Sequence, residues 1–337
     1  MRPLLRARFR VAPEDFRVDE ELGFAADGEG EHLLLRVQKT GANTEWVAQR
    51  LAAFVGVGPE AVGYAGLKDR HAVTTQSFSV HLPGRADPDF STLPAEGVRV
   101  LEVARHRRKL PRGALRGNRF EVVLRDVAGD RNAIEERLHT LAQSGFPNYF
   151  GDQRFGRDGG NIAAAERWFR HGGRLTRTRR SLLLSSARSA LFNAVLTERI
   201  ADGSWQRLLP GDVAVLAGSR SWFPVGDPPP ADLDARLASG DVHPSGPLWG
   251  RGSLPSSSQV AALEHRVVHA HGGLAAGLEA AGLKQDRRAL RAMAADLAWS
   301  FESETTLRLA CRLDAGVYMT SLLAALGEVE DAAAISR

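Results

Sequence analysis

Apolar and polar residues alternate in several short segments of the first half of the chain and again near its end. Phe120, Val122 and Leu124 recur with a period of two, as expected for a strand that buries one face. Similar patterns or short apolar runs predict strands at residues 32–37, 61–64, 77–80, 98–103, 120–124, 213–216 and 307–313. These segments indicate a β-rich body.

Helices are predicted where apolar residues recur every three or four positions. Asn43 and Thr44 offer N-cap oxygens to a helix in which Val47, Leu51 and Phe54 share one face. Comparable patterns predict helices that begin near residues 130, 161, 183, 261 and 320. The chain is therefore expected to be α+β.

The middle of the chain is more helical than its two ends. Segments rich in proline and glycine at residues 224–230 and 246–258 are expected to be irregular. We interpret the chain as one domain formed by residues 1–150 plus 295–337, interrupted by an inserted domain of residues 151–294.

Composition places the chain among ordinary globular proteins, with 43% hydrophobic and 25% charged residues. Cys311 is the only cysteine, which excludes an internal disulfide framework and cysteine-rich metal sites. The sequence has no apolar run of about 18 residues, and no apolar run follows the basic first ten residues. We therefore expect a soluble protein of a reducing compartment, without a membrane span or a secretory signal.

The 44 basic residues include 40 arginines, whose planar guanidinium suits phosphate, although a codon bias towards arginine would also explain the number. Seven cations and no acid lie between Arg105 and Arg119, and six arginines and no acid between Arg167 and Arg180. Either segment alone is compatible with a solvated surface. Two such segments favour a polyanionic partner such as a nucleic acid.

Asp69 is the strongest candidate for chemistry. It lies between Lys68 and Arg70, just after a predicted strand that ends near Gly66. Catalytic groups are often held on such loops, and flanking cations favour an ionised, nucleophilic carboxylate. From these residues alone, a turn aspartate in a surface ion pair remains the alternative.

Other motifs give little support to competing chemistry. The segment 28–32, Gly-Glu-Gly-Glu-His, lacks the ending of a phosphate-binding loop and is interpreted as a turn. His265, His269 and His271 are too loosely spaced to indicate a metal site, and no serine-hydrolase elbow is present. Asn118 is either part of a hairpin turn or a side chain that reads a base edge.

Several blocks of the sequence together resemble the TruD family of tRNA pseudouridine synthases. The resemblance is carried by GEGEH at 28–32, NT at 43–44, GYAGLKDRHAVTTQ at 63–76, ARHRRKL at 104–110, GALRGN at 113–118, NYFGDQRFG at 148–156 and SARSALFN at 186–193. The blocks follow the order of the family and span nearly the whole chain. They favour a functional role for Asp69 over the turn aspartate.

The resemblance implies an isomerase, an intramolecular transferase that converts uridine 13 in the D arm of tRNA to pseudouridine without a cofactor or metal. It also implies a mixed or antiparallel pseudouridine-synthase sheet with flanking helices and an inserted α/β domain. We expect tRNA as partner, no membrane and no obligate protein partner, a monomer, and a cytoplasmic location. The candidate RNA-binding residues are Arg105, Arg107, Arg108, Lys109 and Arg116.

The family's functional residues map to particular positions of this chain. Asp69 takes the position of the nucleophile, Phe16 that of the phenylalanine in Pro-Glu-Asp-Phe, and Asn118 that of the asparagine in Lys/Arg-Gly-Asn. Phe120 is the aromatic residue two positions later. Arg10, six positions before Phe16, takes the place of a basic residue that is a lysine in some relatives.

The C-terminal family motif Leu-Pro-Ala-Gly-x-Phe occurs here with two departures. Asp314 replaces the proline and Tyr318 replaces the phenylalanine. Tyrosine keeps an aromatic face for stacking and adds a hydroxyl. We expect Phe16 and Tyr318 to sandwich a uracil that has been flipped out of the RNA.

In this hypothesis Asn118 holds the uracil edge, Phe120 packs beneath the site and Arg10 pairs with Asp69. Asp69 attacks C1′ of the sugar or C6 of the base, or assists glycosidic cleavage electrostatically, and the sequence leaves these routes open. Two other functions also remain open: a tRNA-binding or RNA-folding factor without catalysis, and a hydrolytic nuclease.

Overall fold

The structure is a computed structural model that describes residues 4–335. Its strands, in chain order, are β1 (Leu5–Phe9), β2 (Phe16–Glu21), β3 (His32–Thr40), β4 (Val62–Tyr64), β5 (Val73–His81), β6 (Val98–His106), β7 (Gly117–Gly129), β8 (Phe146–Pro147), β9 (Val213–Leu216), β10 (Trp222–Pro224), β11 (Val242–Leu248), β12 (Asp286–Ala289), β13 (Arg291–Ala292), β14 (Ala295–Ser303), β15 (Thr306–Asp314) and β16 (Glu328–Asp331). Its α-helices are α1 (Thr44–Val55), α2 (Arg131–Ser144), α3 (Gly160–His171), α4 (Arg177–Ala201), α5 (Leu233–Ala238), α6 (Ser258–Ala270), α7 (Gly272–Ala280), α8 (Met319–Leu326) and α9 (Ala332–Ile335).

The chain divides into two compact units. The first unit contains the residues up to Leu138, the segment Ala294–Gly316 and the residues from Leu326 onward. The second unit contains His139–Met293 and Val317–Ala325. The domain boundaries expected from the sequence, at 150 and 294, stay a prediction.

The first unit is built on a mixed sheet. Its main strand order is β14-β15-β7-β2-β5-β3-β6, with β1, β16 and β4 added to this path. The pairs β2–β5 and β1–β16 are parallel, and the other pairs of the sheet are antiparallel. An antiparallel pair can be joined by a tight turn, whereas the two parallel pairs require longer connections.

The register of this sheet brings residues from distant parts of the sequence together. Phe16 lies opposite Val122, and Glu20 lies opposite Asn118, in the β2–β7 pair. At the edge of the sheet, Phe9 of β1 lies opposite Asp331 of β16, 322 positions later in the chain. The β2–β7 pair therefore carries Phe16 and Asn118 on neighbouring strands. The β1–β16 pair brings Arg10, which directly follows β1, next to the end of β16.

One hydrophobic cluster of the first unit lies between α1 and one face of the sheet. Val47 and Leu51 of α1 are fully buried, and so are Leu35 of β3 and Phe78 of β5. The helix has the predicted apolar face because these residues recur with helical spacing. Burying side chains of this size contributes roughly 1.5–3 kcal/mol each, which fixes the helix against the sheet.

The second unit combines helices with a small sheet. Four helices, α3, α4, α6 and α7, share a core that includes Leu183, Leu191, Trp249 and Leu278. Its sheets have the orders β10-β9-β11-β12 and β8-β13. The α+β class and the mixed sheet expected from the sequence are confirmed. Among residues 4–335, no helix is both long enough and apolar enough to cross a membrane.

Two local expectations are corrected by the structure. The segment 246–258 is not irregular throughout, because β11 continues to Leu248. Asn43 does occupy the N-cap position of α1, but its side chain makes no capping hydrogen bond. The hydroxyl of Thr44 does not cap either, since it bonds to Gln76 and to the backbone of Lys68 instead.

Candidate active site

Asp69 lies in the loop of residues 65–72, between β4 and β5. Its side chain is only 19% exposed, which does not agree with a freely exposed turn aspartate. Oδ1 accepts a hydrogen bond from the backbone N–H of His71 at 2.9 Å, and Oδ2 accepts one from Nη1 of Arg10. Both carboxylate oxygens are therefore oriented by neighbours.

Arg10 lies between two carboxylates. Besides its bond to Asp69, it donates from Nε to Oδ1 of Asp331 at 2.9 Å and from Nη2 to Oδ2 of the same residue. Two parallel bonds to one carboxylate fix the plane of a guanidinium. The side chain of Arg10 is 10% exposed, so water competes little for these contacts.

The charge of Arg10 is retained in this setting. Burial lowers its pKa, but the hydrogen bond to Asp331 and the charge of Asp69 raise it more, and on balance the pKa lies above its usual value. Arg10 also has φ of 58°, in the left-handed region that is uncommon for residues other than glycine. A permanently positive Arg10 stabilises the ionised form of the Asp69 carboxylate.

Lys39 holds the Asp69 loop through hydrogen bonds to its backbone. Lys39 lies on β3 and is fully buried. Its Nζ donates to the carbonyl oxygens of Ala42 and Asp69, each at 2.8 Å. A third bond, at 3.4 Å, goes to the carbonyl of Lys68. Burial lowers the pKa of Lys39 to about 8, although the charge of Asp69 acts in the opposite direction.

Thr44 and Gln76 form a second support of the loop. The hydroxyl of Thr44 accepts from the backbone N–H of Lys68 at 3.0 Å and donates to Oε1 of Gln76 at 2.9 Å. The amide nitrogen of Gln76 donates to the carbonyl of Gly66 at 3.2 Å. Both side chains are buried, so the loop is joined to α1 and β5 through a satisfied polar network.

Lys68, the residue before Asp69, is anchored in the sheet. Its ammonium lies 2.7 Å from Oε2 of Glu20, and the other oxygen of Glu20 accepts from the backbone N–H of Ser77 at 3.0 Å. The side chains of Lys68 and Glu20 are 8% and 0% exposed. This buried pair directs Lys68 into the sheet and leaves the side chain of Asp69 to face Arg10.

Aromatic rings lie beside Arg10. The rings of Phe16 and Phe120 are stacked, with centroids 5.9 Å apart and planes inclined by 14°. The rings of Phe9 and Phe16 are arranged edge-to-face, with their centroids 4.9 Å apart. The guanidinium carbon of Arg10 lies 5.2 Å from the Phe9 ring and 6.0 Å from the Phe16 ring, so the cation and the rings adjoin.

Asn118 is placed at the start of β7, opposite Glu20. Its Oδ1 is buried and has no hydrogen-bond partner within the part of the chain that the structure describes. Buried polar atoms are nearly always satisfied, and an unsatisfied one indicates a place for a ligand or water. An amide oxygen accepts, so the missing partner is a donor such as an N–H group.

Tyr318 belongs to the second unit, whereas Phe16 belongs to the first, and the sandwich of these two rings stays a prediction. Within its unit, the Tyr318 hydroxyl accepts from Nη2 of Arg154 at 2.7 Å and its ring meets that of Phe150 edge-on at 6.2 Å. The added hydroxyl of the family's aromatic position is therefore satisfied. Burial lowers the pKa of the neighbouring Arg288 to about 10.

The five candidate RNA-binding residues of the first unit differ in their surroundings. Arg105 pairs with Asp87 and Arg107 pairs with Glu29, so acids from other loops neutralise two of them. Lys109 donates to a backbone carbonyl, that of Glu60. Arg108 and Arg116 are exposed, and neither has a carboxylate within 4 Å among the described residues.

The second basic segment is more uniformly open to solvent. All six of its arginines are exposed, and within residues 4–335 none of them pairs with a carboxylate: Arg167, Arg170, Arg174, Arg177, Arg179 and Arg180. Two of these arginines are held by neutral groups. Arg179 donates to Asn161 and Arg180 to the carbonyl of Ala281, each at 3.1 Å.

Three residues of the site were missed by sequence reasoning: Lys39, Glu20 and Asp331. A signal for Lys39 was present, because the alternation of Leu33, Leu35 and Val37 places the next odd position, 39, on the buried face of β3. Nothing in the local sequence indicates Asp331. Its contact with Arg10 depends on a parallel pairing of the first and last strands.

A family model for tRNA pseudouridine synthase D (TruD) matches residues 3–162 and 161–326. The chain belongs to this family. The resemblance inferred from the motifs is thus confirmed.

Curated relatives in the TruD family are similar over almost the full chain. One relative is a tRNA pseudouridine synthase D from Xanthomonas campestris pv. campestris strain 8004. Its alignment with this chain is 348 positions long including gaps, is 52% identical, and covers 99% of this chain and 94% of the relative. This chain is 49% identical over 334 residues to one from Nitrosococcus oceani, covering 98% and 93%.

The fold is also that of a solved TruD structure. The crystal structure of a tRNA pseudouridine synthase D from Methanosarcina mazei superposes with a TM-score of 0.74 and covers 96% of this chain and 94% of that chain. Since the two sequences are 20% identical, this likeness concerns the fold alone.

Proposed function

We propose that this TruD family member isomerises uridine 13 in the D arm of tRNA to pseudouridine, with Asp69 as the nucleophile. The observation that carries the proposal is the Asp69 carboxylate itself, held at both oxygens and paired with the charged Arg10 beside aromatic rings. A carboxylate that is ionised, oriented and largely shielded from water is suited to nucleophilic attack.

The reaction needs no net gain or loss of atoms. The bond between N1 of uracil and C1′ of ribose breaks, the detached base turns, and C5 bonds to C1′; C5 loses a proton and N1 gains one. Asp69 attacks C1′ or C6 of the base, or assists cleavage of the glycosidic bond electrostatically. All three routes require the ionised carboxylate that Arg10 stabilises.

The remaining residues hold the base during this rearrangement. Phe16, backed by the stacked ring of Phe120, offers a flat surface for the uracil, and stacking contributes roughly 1–3 kcal/mol per base. Asn118 is proposed to hold the uracil edge through its amide, whose Oδ1 has no hydrogen-bond partner among the described residues. Tyr318 is proposed as the second ring against the flipped base.

The experiment is to map pseudouridine in a tRNA transcript after incubation with the wild-type protein, Asp69→Asn or Asp69→Ala. Carbodiimide treatment followed by primer extension locates each modified position. We expect a stop at position 13 with the wild type and none with either variant, while tRNA affinity stays within about tenfold. Asp234→Asn, which changes an exposed carboxylate of α5, is the matched control and should keep full activity.

The result also separates the alternatives. Full activity of Asp69→Asn would refute the nucleophile. Tight tRNA binding by the wild type without any new stop would indicate a binding or folding factor instead of an enzyme. A transcript with cytidine at position 13 tests the site of reaction, since modification elsewhere in that transcript would contradict uridine 13 as the target.

A further inference from the structure

A cavity of about 650 Å³ lies within the second unit, outside the residues proposed for catalysis. This volume falls in the range of about 300–1,000 Å³ that is typical of small-ligand sites. The lining residues are Trp222, Arg251, Gly252, Ser253, Pro255, Gly282, Lys284 and Gln285. No acidic residue is among them, so the cavity favours an anion.

Two backbone segments that line the cavity are hydrogen-bonded to each other. The N–H of Arg251 donates to the carbonyl of Leu283 at 2.6 Å, and the N–H of Gln285 donates to the carbonyl of Arg251 at 3.1 Å. Arg188 donates to the carbonyl of Lys284. The two segments that carry the cations are thereby joined to each other before any ligand arrives.

Two cations of the lining are available to an anionic ligand. Arg251 and Lys284 are both exposed, and in the described part of the chain neither has a carboxylate within ion-pair distance. A guanidinium and an ammonium facing one cavity are typical phosphate-binding groups.

An aromatic ring completes one wall. Trp222 begins β10 at the edge of its sheet and is 38% exposed, unusually open for an indole. An exposed indole beside cations is a surface on which a nucleobase stacks, and such stacking is tolerant of base identity. The cavity thus offers complementary groups for both the base and the phosphate of a nucleotide.

Gln285 fixes the backbone beside the cavity. Its Nε2 donates to the carbonyl of Gly250 at 2.8 Å, which fixes the orientation of the amide. Its Oε1 is buried without a hydrogen-bond partner among the residues that the structure describes. The amide therefore holds the backbone of Gly250 next to the cavity, and its covered oxygen is not a ligand contact.

One arginine of the second basic segment is bonded to the chain next to the cavity lining. Arg180 of that segment donates to the carbonyl of Ala281, the residue directly before Gly282 of the lining. A strand of RNA that follows the exposed arginines would therefore reach the rim of the cavity.

We propose that this cavity binds one unstacked nucleotide of RNA, with the phosphate on Arg251 and Lys284 and the base on Trp222. RNA as the source of the nucleotide rests on the proposed function, whereas nucleotide binding by the cavity does not.

The first test uses uridine 5′-monophosphate as the probe and tryptophan fluorescence as the readout. We expect saturable quenching with the full-length protein, weaker quenching with uridine or inorganic phosphate alone, and loss of the saturable signal in Trp222→Phe. Saturable quenching that persists in Trp222→Phe would refute the site, and so would its absence in the wild type.

The second test measures tRNA binding by filter retention, in an Asp69→Asn background so that no turnover occurs. We expect Arg251→Ala combined with Lys284→Ala to weaken binding about tenfold and to reduce the slope of log K against log[salt], because each phosphate contact on a single strand contributes about 0.7 to that slope. Arg207→Ala, which removes another exposed arginine of the second unit, is the matched control.

Thermal unfolding of each variant shows whether it is folded. Unchanged tRNA affinity in the folded double variant would overturn the RNA-binding role, even if the monophosphate still binds. Binding at this cavity by a protein that forms no pseudouridine would refute the proposed enzyme while leaving the site intact. The two proposals therefore fail separately.

Discussion

Asp69 is fixed at three of its atoms. The two carboxylate oxygens accept from Arg10 and from the backbone of His71, and the backbone carbonyl accepts from Lys39. An ionised aspartate in solution would rotate freely between water molecules, whereas this arrangement keeps one carboxylate direction. The catalytic contribution of the neighbours is therefore orientation as much as charge.

Asp331 is expected to act as a positioning residue through Arg10. In Asp331→Asn, one carboxylate oxygen becomes an NH2 donor and the other loses its charge. One of the two parallel bonds is therefore lost and the other is weakened, so the guanidinium is less firmly directed at Asp69. We expect kcat for pseudouridine formation to fall about 10-fold to 100-fold with KM little changed, as measured by single-turnover and steady-state assays on a tRNA transcript.

A conservative variant and a control accompany this prediction. Asp331→Glu keeps the charge and should recover part of the lost kcat. Glu328→Gln lies on the same strand, but its pair with Arg6 is exposed on the surface and should contribute little. A normal kcat in Asp331→Asn would show that Asp69 alone orients Arg10.

Lys39 gives the site a pH dependence of stability. Its pKa is about 8 in the folded protein against a usual 10.5, so between these values the unfolded chain binds the extra proton. The free energy of unfolding should therefore rise with pH, by up to about 1.4 kcal/mol per unit from this group. Above about pH 10.5 Lys39 is neutral in both the folded and the unfolded chain, and its burial then costs no ionisation free energy. As the pH falls from 10.5 to 8 the unfolded chain gains a proton first, and the free energy of unfolding decreases.

Urea unfolding of the wild type and Lys39→Met at pH 7, 8, 9 and 10 measures this effect. The difference between the two free energies of unfolding, wild type minus variant, should become more positive from pH 8 to pH 10. Differences that stay constant over this range would mean that Lys39 titrates normally in the folded protein.

The elements of the fold were largely predictable, and their connections to the site were not. Period-two and helical patterns located β7, β15 and α1, because each element buries one face. Those patterns carry no information about which strands pair. The Asp69 loop could be found from its motif, but its supports depend on the pairing of β3 with β5 and of β1 with β16.

The start of α1 shows how one residue can serve a neighbouring loop instead of its own helix. Thr44 and Asn43 both suit an N-cap by residue type, yet neither side chain caps the helix. The hydroxyl of Thr44 holds the N–H of Lys68 instead. Residue preference predicted the helix boundary correctly and the function of the side chain wrongly.

A pair of substitutions tests this division of roles. Thr44→Val keeps the shape but leaves the N–H of Lys68 and Oε1 of Gln76 without partners, which should cost about 1–3 kcal/mol of stability and reduce activity. Asn43→Ala should cost well under the roughly 1 kcal/mol of a working cap. Chemical denaturation and the primer-extension assay measure both, and equal losses in the two variants would restore the capping interpretation.

Charge is unevenly distributed over the molecule although the net charge is only +4. In the first basic segment, loops distant in sequence supply acids to Arg105 and Arg107, and this could not be foreseen from an acid-free stretch. The arginines between Arg167 and Arg180 have no such partners among the described residues. Surfaces of the second kind attract a polyanion most strongly.

The two basic segments should therefore differ in their effect on tRNA binding. Arg170→Glu combined with Arg177→Glu reverses two unpaired charges and should weaken binding by at least tenfold at low salt and flatten its salt dependence.

In the first segment, Arg108→Ala should weaken binding more than Arg107→Ala, because Glu29 already neutralises Arg107. Filter binding between 50 and 200 mM salt, a range over which phosphate contacts change affinity by orders of magnitude, measures both comparisons. Equal effects of Arg107→Ala and Arg108→Ala would show that the pair with Glu29 opens when RNA binds. Unchanged affinity in all variants would show that both segments are solvated surface and do not bind RNA.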